Sequence, residues 1–314
     1  MTDKNESTTG KRLLIPEPLK HGDVVGVIAA SGPAASDLLD RGILFLQELG
    51  FRVKTGCHLY EKNGYLAGKD DERCGDLNAM LGDPEVRAIF FARGGYGVMR
   101  VLDRLDRKSI IRDPKILLGM SDVTALQLSV LSRFNLLTFS GPMIAGQVGA
   151  GLDEVSKEWF IRALTEPLNN RNLWPPDSTI RVLRKGSAQG RLIGGCLSLV
   201  TALMGTCHAP DFAGSILFIE DVNEPPYRID RMLTQLRLVG ALQKVEALIL
   251  GHFLGPDGED LGQEVDSIVM ELTADRPVPI ISGFPHGHVL PNLTIPHGAP
   301  VRLETDQAIL QVRL

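Results

Sequence analysis

The feature that most constrains this chain is a change of hydrophobic period that repeats through its first half. "DVVGVIAA" (23–30) is a continuous apolar run, and "DLLDRGILFLQELG" after it puts Leu38, Leu39, Ile43, Leu46 and Leu49 at helical spacing before Gly50 stops it. "FRVKTG", "VRAIFFA" (86–92), "KILLGM" and "LLTFSGP" are further strand-like runs, separated by the helix-like segments "KDDERCGDLNAML", "VMRVLDRLD" and "VTALQLSVLSRF". Strands that alternate with helices demand right-handed crossovers, hence a parallel sheet covered on both faces. In such sheets ligands gather beyond the carboxyl ends of the strands. The turns "SGPAAS", "RGGYG" and "GMSD" are therefore expected to share one edge.

Residues 166–190 are rich in Pro, Asn and Gly and read as a linker. A second α/β unit follows. "IGGCLSLVTALMG" reads as helical, "SILFIE" (215–220), "VEALILGHF" and "VPIISGF" as strands, and "PPYRIDRMLTQLRLVG" and "GQEVDSIVMELTAD" as helices. "APVRLETDQAILQVRL" reads as a terminal hairpin around "TDQ". With 314 residues the expected organisation is a disordered tail (1–15), an α/β domain (16–165), the linker (166–190) and a second domain (191–314). The chain has no internal repeat and no low-complexity tract.

Bulk properties exclude several classes of partner. Net charge is −5, which favours neither a nucleic-acid backbone nor an anionic membrane surface. The polar start "MTDKNESTTGKR" has no apolar h-region, and the most apolar stretch (192–205) is shorter than the ~20 residues a bilayer needs. A soluble protein of the cytoplasm is expected. Four scattered cysteines, Cys57, Cys74, Cys196 and Cys207, form no CxxC pair. That argues against a zinc knuckle and suits reduced thiols, although an even number also permits pairing.

Ser121 stands on the corner between a buried strand and a helix, where free N–H groups and the positive end of the helix dipole meet. A serine there suits attack on a carbonyl, with the N–H of Asp122 helping to hold the oxyanion. It equally suits a plain helix cap at Ser121 or Asp122. The hydrolase elbow GxSxG is half met, since Val123 replaces its second glycine. In "ARGGYG" (92–97), Gly94 and Gly95 allow close backbone approach and a second oxyanion donor. It is neither GxGxxG nor a Walker A loop, so no nucleotide cofactor is expected. Arg93, on the same turn, suits a substrate carboxylate, and Tyr96 is a further contact candidate.

A nucleophilic serine needs a base, and the base an orienting acid. "GFPHGHVLPNLTIPHG" (283–298) holds His286, His288 and His297. A metal site on His286 and His288 lacks a nearby carboxylate or cysteine, so no metal is expected. Glu220, closing the apolar run "SILFI", needs solvent or a partner. It could orient a histidine or cap the next helix, and Asp221 and Glu224 are its rivals.

Together "ASGP", "ARGGYG", "GMSD", "GPM", "GRLIGGCLSLV", "FIEDVNEPPYRIDRML", "ILGHF" and "GFPHGHVLPNLTIPHGA" resemble, in order and setting, the serine-type LD-carboxypeptidases. These are the muramoyltetrapeptide carboxypeptidases of peptidoglycan recycling, with the microcin C immunity peptidases as a related branch. The resemblance runs from about Pro16 to the C-terminus. It implies a flavodoxin- or glutamine-amidotransferase-like three-layer domain followed by a smaller α/β domain with barrel-like strands. It also implies a homodimer and a cofactor-free Ser121–His288–Glu220 triad, with the N–H groups of Asp122 and of Gly94 or Gly95 as oxyanion donors. The implied reaction releases D-alanine from the L-centre of a diamino acid in a muropeptide. Cys196 departs from the family, which often has Asn there. Two other functions stay open. A microcin-type amidase would need an aromatic platform, for which Trp174 is placed and Trp159, in a helix-like segment, is not. A ligand-binding module without chemistry is the other.

Overall fold

The structure is a computed structural model and describes residues 12–176 and 178–314. The first unit carries strands β1 (Val24–Ile28), β2 (Arg52–Thr55), β3 (Val86–Phe91), β4 (Ile116–Gly119) and β5 (Thr138–Ser140). Its helices are α1 (Ser36–Glu48), α2 (Asp70–Gly82), α3 (Arg107–Arg112), α4 (Val123–Phe134) and α5 (Glu154–Thr165). The five strands are parallel in the order β2-β1-β3-β4-β5, the flavodoxin-like arrangement. Alternate residues point to opposite faces. Val24, Ile28, Ile89, Phe91 and Leu117 pack with α2, α3 and α4, while Val25, Val27, Phe90, Ile116 and Leu118 pack with α1 and α5. Three layers result.

The second unit contains β6 (Arg181–Arg184), β7 (Ser187–Cys196), β8 (Ser215–Val222), β9 (Ala247–Leu254), β10 (Ile280–Ser282), β11 (Ile295–His297), β12 (Pro300–Glu304) and β13 (Ile309–Val312). Its helices are α6 (Leu197–Ala202), α7 (Pro226–Leu238) and α8 (Gly262–Leu272). Seven strands form a second, curled sheet in the order β13-β12-β7-β8-β9-β10-β6. The stretch 166–190 holds β6 and the start of β7. The eighth strand, β11, leaves this unit and pairs antiparallel with β5, so the first sheet has six strands.

Two elements differ from the sequence reading. "IGGC" is the end of β7, and the helix starts only at Leu197. Gly194 and Gly195 adopt φ of 151° and 129°, and a Cβ on Gly194 would lie 1.7 Å from the Phe218 carbonyl oxygen. The paired glycines thus serve close strand packing, while the apolar spacing around them mimics a helix. "VMRVLDRLD" forms two 3₁₀ turns, and α3 begins after Asp106, whose carboxylate caps the N–H groups of Lys108 and Ser109. Of the expected tail, residues 1–11 lie outside the described residues. Leu14 is held in place: its N–H donates to the Asn135 carbonyl and its own carbonyl accepts from Leu137.

Candidate active site

The turns after β1, β3 and β4 meet at one sheet edge, at the point where the strand order reverses direction. The N–H of Gly32 donates to the Gly94 carbonyl at 3.1 Å. A Cβ on Gly94 would come within 2.7 Å of both Cβ and Oγ of Ser121, so only glycine lets the two turns touch. Ser121 has φ of 60°, the left-handed region that a non-glycine residue rarely enters. Neither residue caps α4 with its side chain. Ser121 Oγ makes no hydrogen bond among the described residues. Asp122, the N-cap residue by position, instead accepts at Oδ2 from the Val98 N–H at 2.9 Å. Buried Asp122 therefore ties the end of the "RGGYG" turn to the serine corner, and its burial pushes its carboxyl pKa up.

The second unit brings a carboxylate and an imidazole to the same place. Glu220 lies in β8, 1% exposed, and its Oε2 accepts from His288 Nδ1 at 2.8 Å. This bond assigns the proton to Nδ1 and leaves Nε2 as the free acceptor. Burial lowers the His288 pKa, but the charge and hydrogen bond of Glu220 outweigh it and hold it above the ordinary value. The rivals of Glu220 are engaged elsewhere. Asp221 accepts from the N–H groups of Ser198 and Val222, and Glu224 pairs with Arg228 across one helical turn. Burial, and then the neighbouring Glu220 charge, push Asp221 up to about 6.

Ser121, His288, Gly94, Gly95 and Arg93 all line one cleft of about 460 Å³ between the units. Asp221, Asn223 and Glu224 form part of its far wall. Tyr96 opens onto an adjoining recess, with Arg93 shared between the two. Arg93 Nη1 donates to the Pro33 carbonyl at 2.9 Å. Trp174 packs against the core and does not line the cleft, and among the described residues no Phe, Tyr or Trp does. Cys196 borders the cleft as a buried thiol near Asp221 and Ser198. Burial, then the charges of Asp221 and Glu220, keep it protonated and so a poor nucleophile.

Sequence reasoning missed the groups that hold the histidine loop. Gln147 Nε2 donates to the carbonyls of Gly287 and Val289, and Asn292 Nδ2 donates to Gln147 Oε1 at 2.7 Å. His286 is buried beside them, with Nδ1 at 2.8 Å from the Leu293 carbonyl and Nε2 at 3.0 Å from Ser140 Oγ. It is a structural member of the loop. At about 1 kcal/mol per bond these contacts are too weak to decide the fold, but strong enough to fix the loop's position. Only the three-dimensional register reveals them, since Gln147 belongs to no motif and Asn292, though inside "GFPHGHVLPNLTIPHG", has nothing in the sequence to pair it with Gln147. Away from the cleft, Asp103, Cys207 and His208 bring possible metal-ligand atoms within 4.8 Å of one another. His208 is already engaged there by Ser129 and Asp103.

This fold and cleft define a two-unit α/β protein with a cleft between its units, and comparison with known proteins gives its family. Residues 25–141 match the LD-carboxypeptidase N-terminal domain and residues 189–303 the LD-carboxypeptidase C-terminal domain. The chain is 38% identical over 301 residues to the probable murein peptide carboxypeptidase of Bacillus subtilis, covering 93% of this chain and 92% of the relative. It is 32% identical to the murein tetrapeptide carboxypeptidase of Pseudomonas aeruginosa, covering 90% and 94%. Among solved structures, the microcin C7 self-immunity protein MccF in complex with aspartyl sulfamoyl adenosine superimposes with a TM-score of 0.87 at 28% identity, covering 96% of this chain and 98% of that one. The muramoyltetrapeptide carboxypeptidase of Oxalobacter formigenes superimposes with a TM-score of 0.79 at 29% identity, covering 92% and 97%. The chain belongs to the LD-carboxypeptidase family. It is a carboxypeptidase, and no helix among its described residues is long and apolar enough to cross a membrane.

Proposed function

We propose that Ser121, His288 and Glu220 hydrolyse the bond between the L-centre of a diamino acid and the terminal D-alanine of a muropeptide tetrapeptide, in the recycling of peptidoglycan. The observation that carries this reading is the 2.8 Å contact between His288 Nδ1 and buried Glu220, whose imidazole faces the cleft that Ser121 lines. His288 Nε2 takes the Ser121 hydroxyl proton as Oγ bonds to the scissile carbonyl carbon. The N–H of Asp122 and one from the Gly94–Gly95 turn hold the oxyanion. The C–N bond breaks, and the D-alanine nitrogen takes the proton from His288. Water, deprotonated by His288 Nε2, then attacks the ester carbon, and as the C–Oγ bond breaks that proton passes from Nε2 to Ser121 Oγ. Glu220 keeps the tautomer and stabilises the imidazolium.

The microcin-type activity is the competing reading, and Trp174, the side chain that reading would call on as a nucleobase platform, lies away from the cleft. The deciding experiment incubates the enzyme with a muramoyl tetrapeptide and, separately, with aspartyl sulfamoyl adenosine, read by mass spectrometry. D-alanine release from the first, lost by at least about 10³-fold in Ser121→Ala, is expected. Near wild-type release by that variant would remove the nucleophile from Ser121, and cleavage of the adenosine compound alone would favour the microcin reading.

A further inference from the structure

We infer that Asp103, Cys207 and His208 bind one divalent transition metal, zinc by the choice of ligands, and that the ion joins the two units away from the catalytic cleft. The site is independent of the reaction proposed above. Asp103 lies on the second 3₁₀ turn of the first unit (Leu102–Arg104), and Cys207 and His208 lie in the loop after α6 of the second. One ligand atom from each lies within 4.8 Å of the others. Ligand atoms on one tetrahedral zinc are about 3.2–3.7 Å apart, given metal–ligand bonds of about 2.0–2.3 Å. His208 Nε2 is already 3.1 Å from Asp103 Oδ1, so closing the set takes a movement of about 1 Å. Asp103 and Cys207 are exposed and free to make it, while His208 is held in place. The sequence gives no sign of the site, because Asp103 is far along the chain from the other two ligands.

The setting of His208 separates this cluster from surface groups that merely meet. The residue is buried, and its Nδ1 lies 2.7 Å from the buried Ser129 Oγ on α4. With the ring proton on Nδ1 and donated to Ser129, Nε2 turns a lone pair toward Asp103. A hydrogen bond on the far nitrogen is the usual way a metal-binding histidine is oriented. Ser132, also on α4, donates to the Ala209 carbonyl at 3.2 Å and so fixes the loop that carries Cys207 and His208. Asp103 Oδ1 is shared with Arg133 Nη1 at 3.3 Å, and Oδ2 has no partner among the described residues. Cys207 is a free, exposed thiol. On binding, the contact between Nε2 and Asp103 becomes two bonds to the ion. The ring keeps its one proton on Nδ1, and the Cys207 thiol releases its proton to solvent. Thiolate and carboxylate together balance the charge of the dication, and water takes the fourth position. A thiolate beside an imidazole selects zinc, or cobalt as its coloured substitute, over magnesium.

The test uses the intact protein after treatment with a chelator. Zinc titrated by calorimetry is expected to bind as one ion per chain with a Kd of about 10 µM or tighter, and at least about 100-fold more tightly than magnesium. Cobalt(II) should give the thiolate-to-metal charge-transfer absorption of a cysteine ligand. Saturating zinc should raise the Tm by about 3 °C or more. Cys207→Ser should abolish the charge-transfer band and weaken zinc at least about 10-fold, with no Tm shift left. Asp103→Ala should weaken zinc by a similar factor, because the first unit then supplies no ligand. Cys57→Ser, which removes the other exposed thiol, should change none of these readings. Weaker zinc binding than this, equal affinity for magnesium, or a charge-transfer band that survives Cys207→Ser overturns the inference. Unchanged affinity in Asp103→Ala overturns the bridge between units, since the ion would then rest on the second unit alone.

Discussion

At Ser121 an unusual backbone angle coincides with the side chain proposed as nucleophile. A φ of 60° costs an ordinary L-residue about 1–2 kcal/mol, and the corner between β4 and α4 imposes it. Glycine escapes that cost and alanine does not. Ser121→Gly is therefore expected to be about 1 kcal/mol more stable than Ser121→Ala, the reverse of their order in a helix, as measured by urea unfolding. Gly94→Ala should lower kcat at least about 100-fold while the protein stays folded, since its Cβ would occupy the space of Ser121 Oγ. The pH dependence follows from His288. The base must be neutral to work, and its pKa is raised, so kcat/KM should climb with pH through a midpoint above the ordinary histidine value. Glu220→Gln removes the charge that raises it. That variant should lose about 10³–10⁴-fold in rate, with the midpoint moved to lower pH, in a pH–rate profile of D-alanine release. Ser121 and Glu220 could be singled out in the chain because each sits at an abrupt end of an apolar run, whereas His288 was told from His286 and His297 only by the resemblance to the family. Apart from the resemblance, hydropathy left open which of three neighbouring acids meets the histidine. That depends on the pleat of β8, which turns Glu220 toward His288 and Asp221 toward the start of α6.

Among the elements, β7 and β11 explain why parts of the second unit were hard to read. Hydropathy assigns no direction to glycine, so the Gly194–Gly195 pair left the helical spacing of its neighbours unopposed. Gly194→Ala should be strongly destabilising, on the order of 3 kcal/mol or more, because its Cβ would overlap the Phe218 carbonyl in β8. Strand β11 has only three residues and contains Pro296, which reads as loop. As the edge strand of its sheet it tolerates a residue without an N–H. It also buries His297, whose Nδ1 lies 3.3 Å from Thr138 Oγ1 and whose ring packs edge-on to Phe218. Burial pushes His297 down to about 3, so it stays neutral in the folded protein at moderately acid pH. The unfolded chain takes up this proton below about 6.5, so stability should fall as pH drops from there toward 3. His297→Phe should flatten that acid limb, visible as a smaller difference between urea midpoints at pH 7 and pH 4.

Across the whole molecule, the two units share their packing. Residues of α4 lie in one hydrophobic cluster with residues of α6, α7 and α8, and strands of both sheets share the other. Gly195 lets β7 approach α4, where the Cys196 N–H donates to Thr124 Oγ1 at 3.2 Å. The alternation in the first half was legible because each of its elements buries a face within its own unit. The join was not, because it is made by isolated contacts far apart in the chain. A fragment ending at residue 165 lacks β11, the Gln147 partners and the cover on α4. It should show no cooperative unfolding by circular dichroism until a fragment from 166 to 314 is added. The return of the chain through β11 also sets an order of events. Synthesis delivers Ser121 early, but His288 arrives just ahead of the strand that stitches the sheets together. On the proposed mechanism, a chain still being made carries a nucleophile with nothing to deprotonate it, and hydrolytic power switches on only when the molecule is sewn shut.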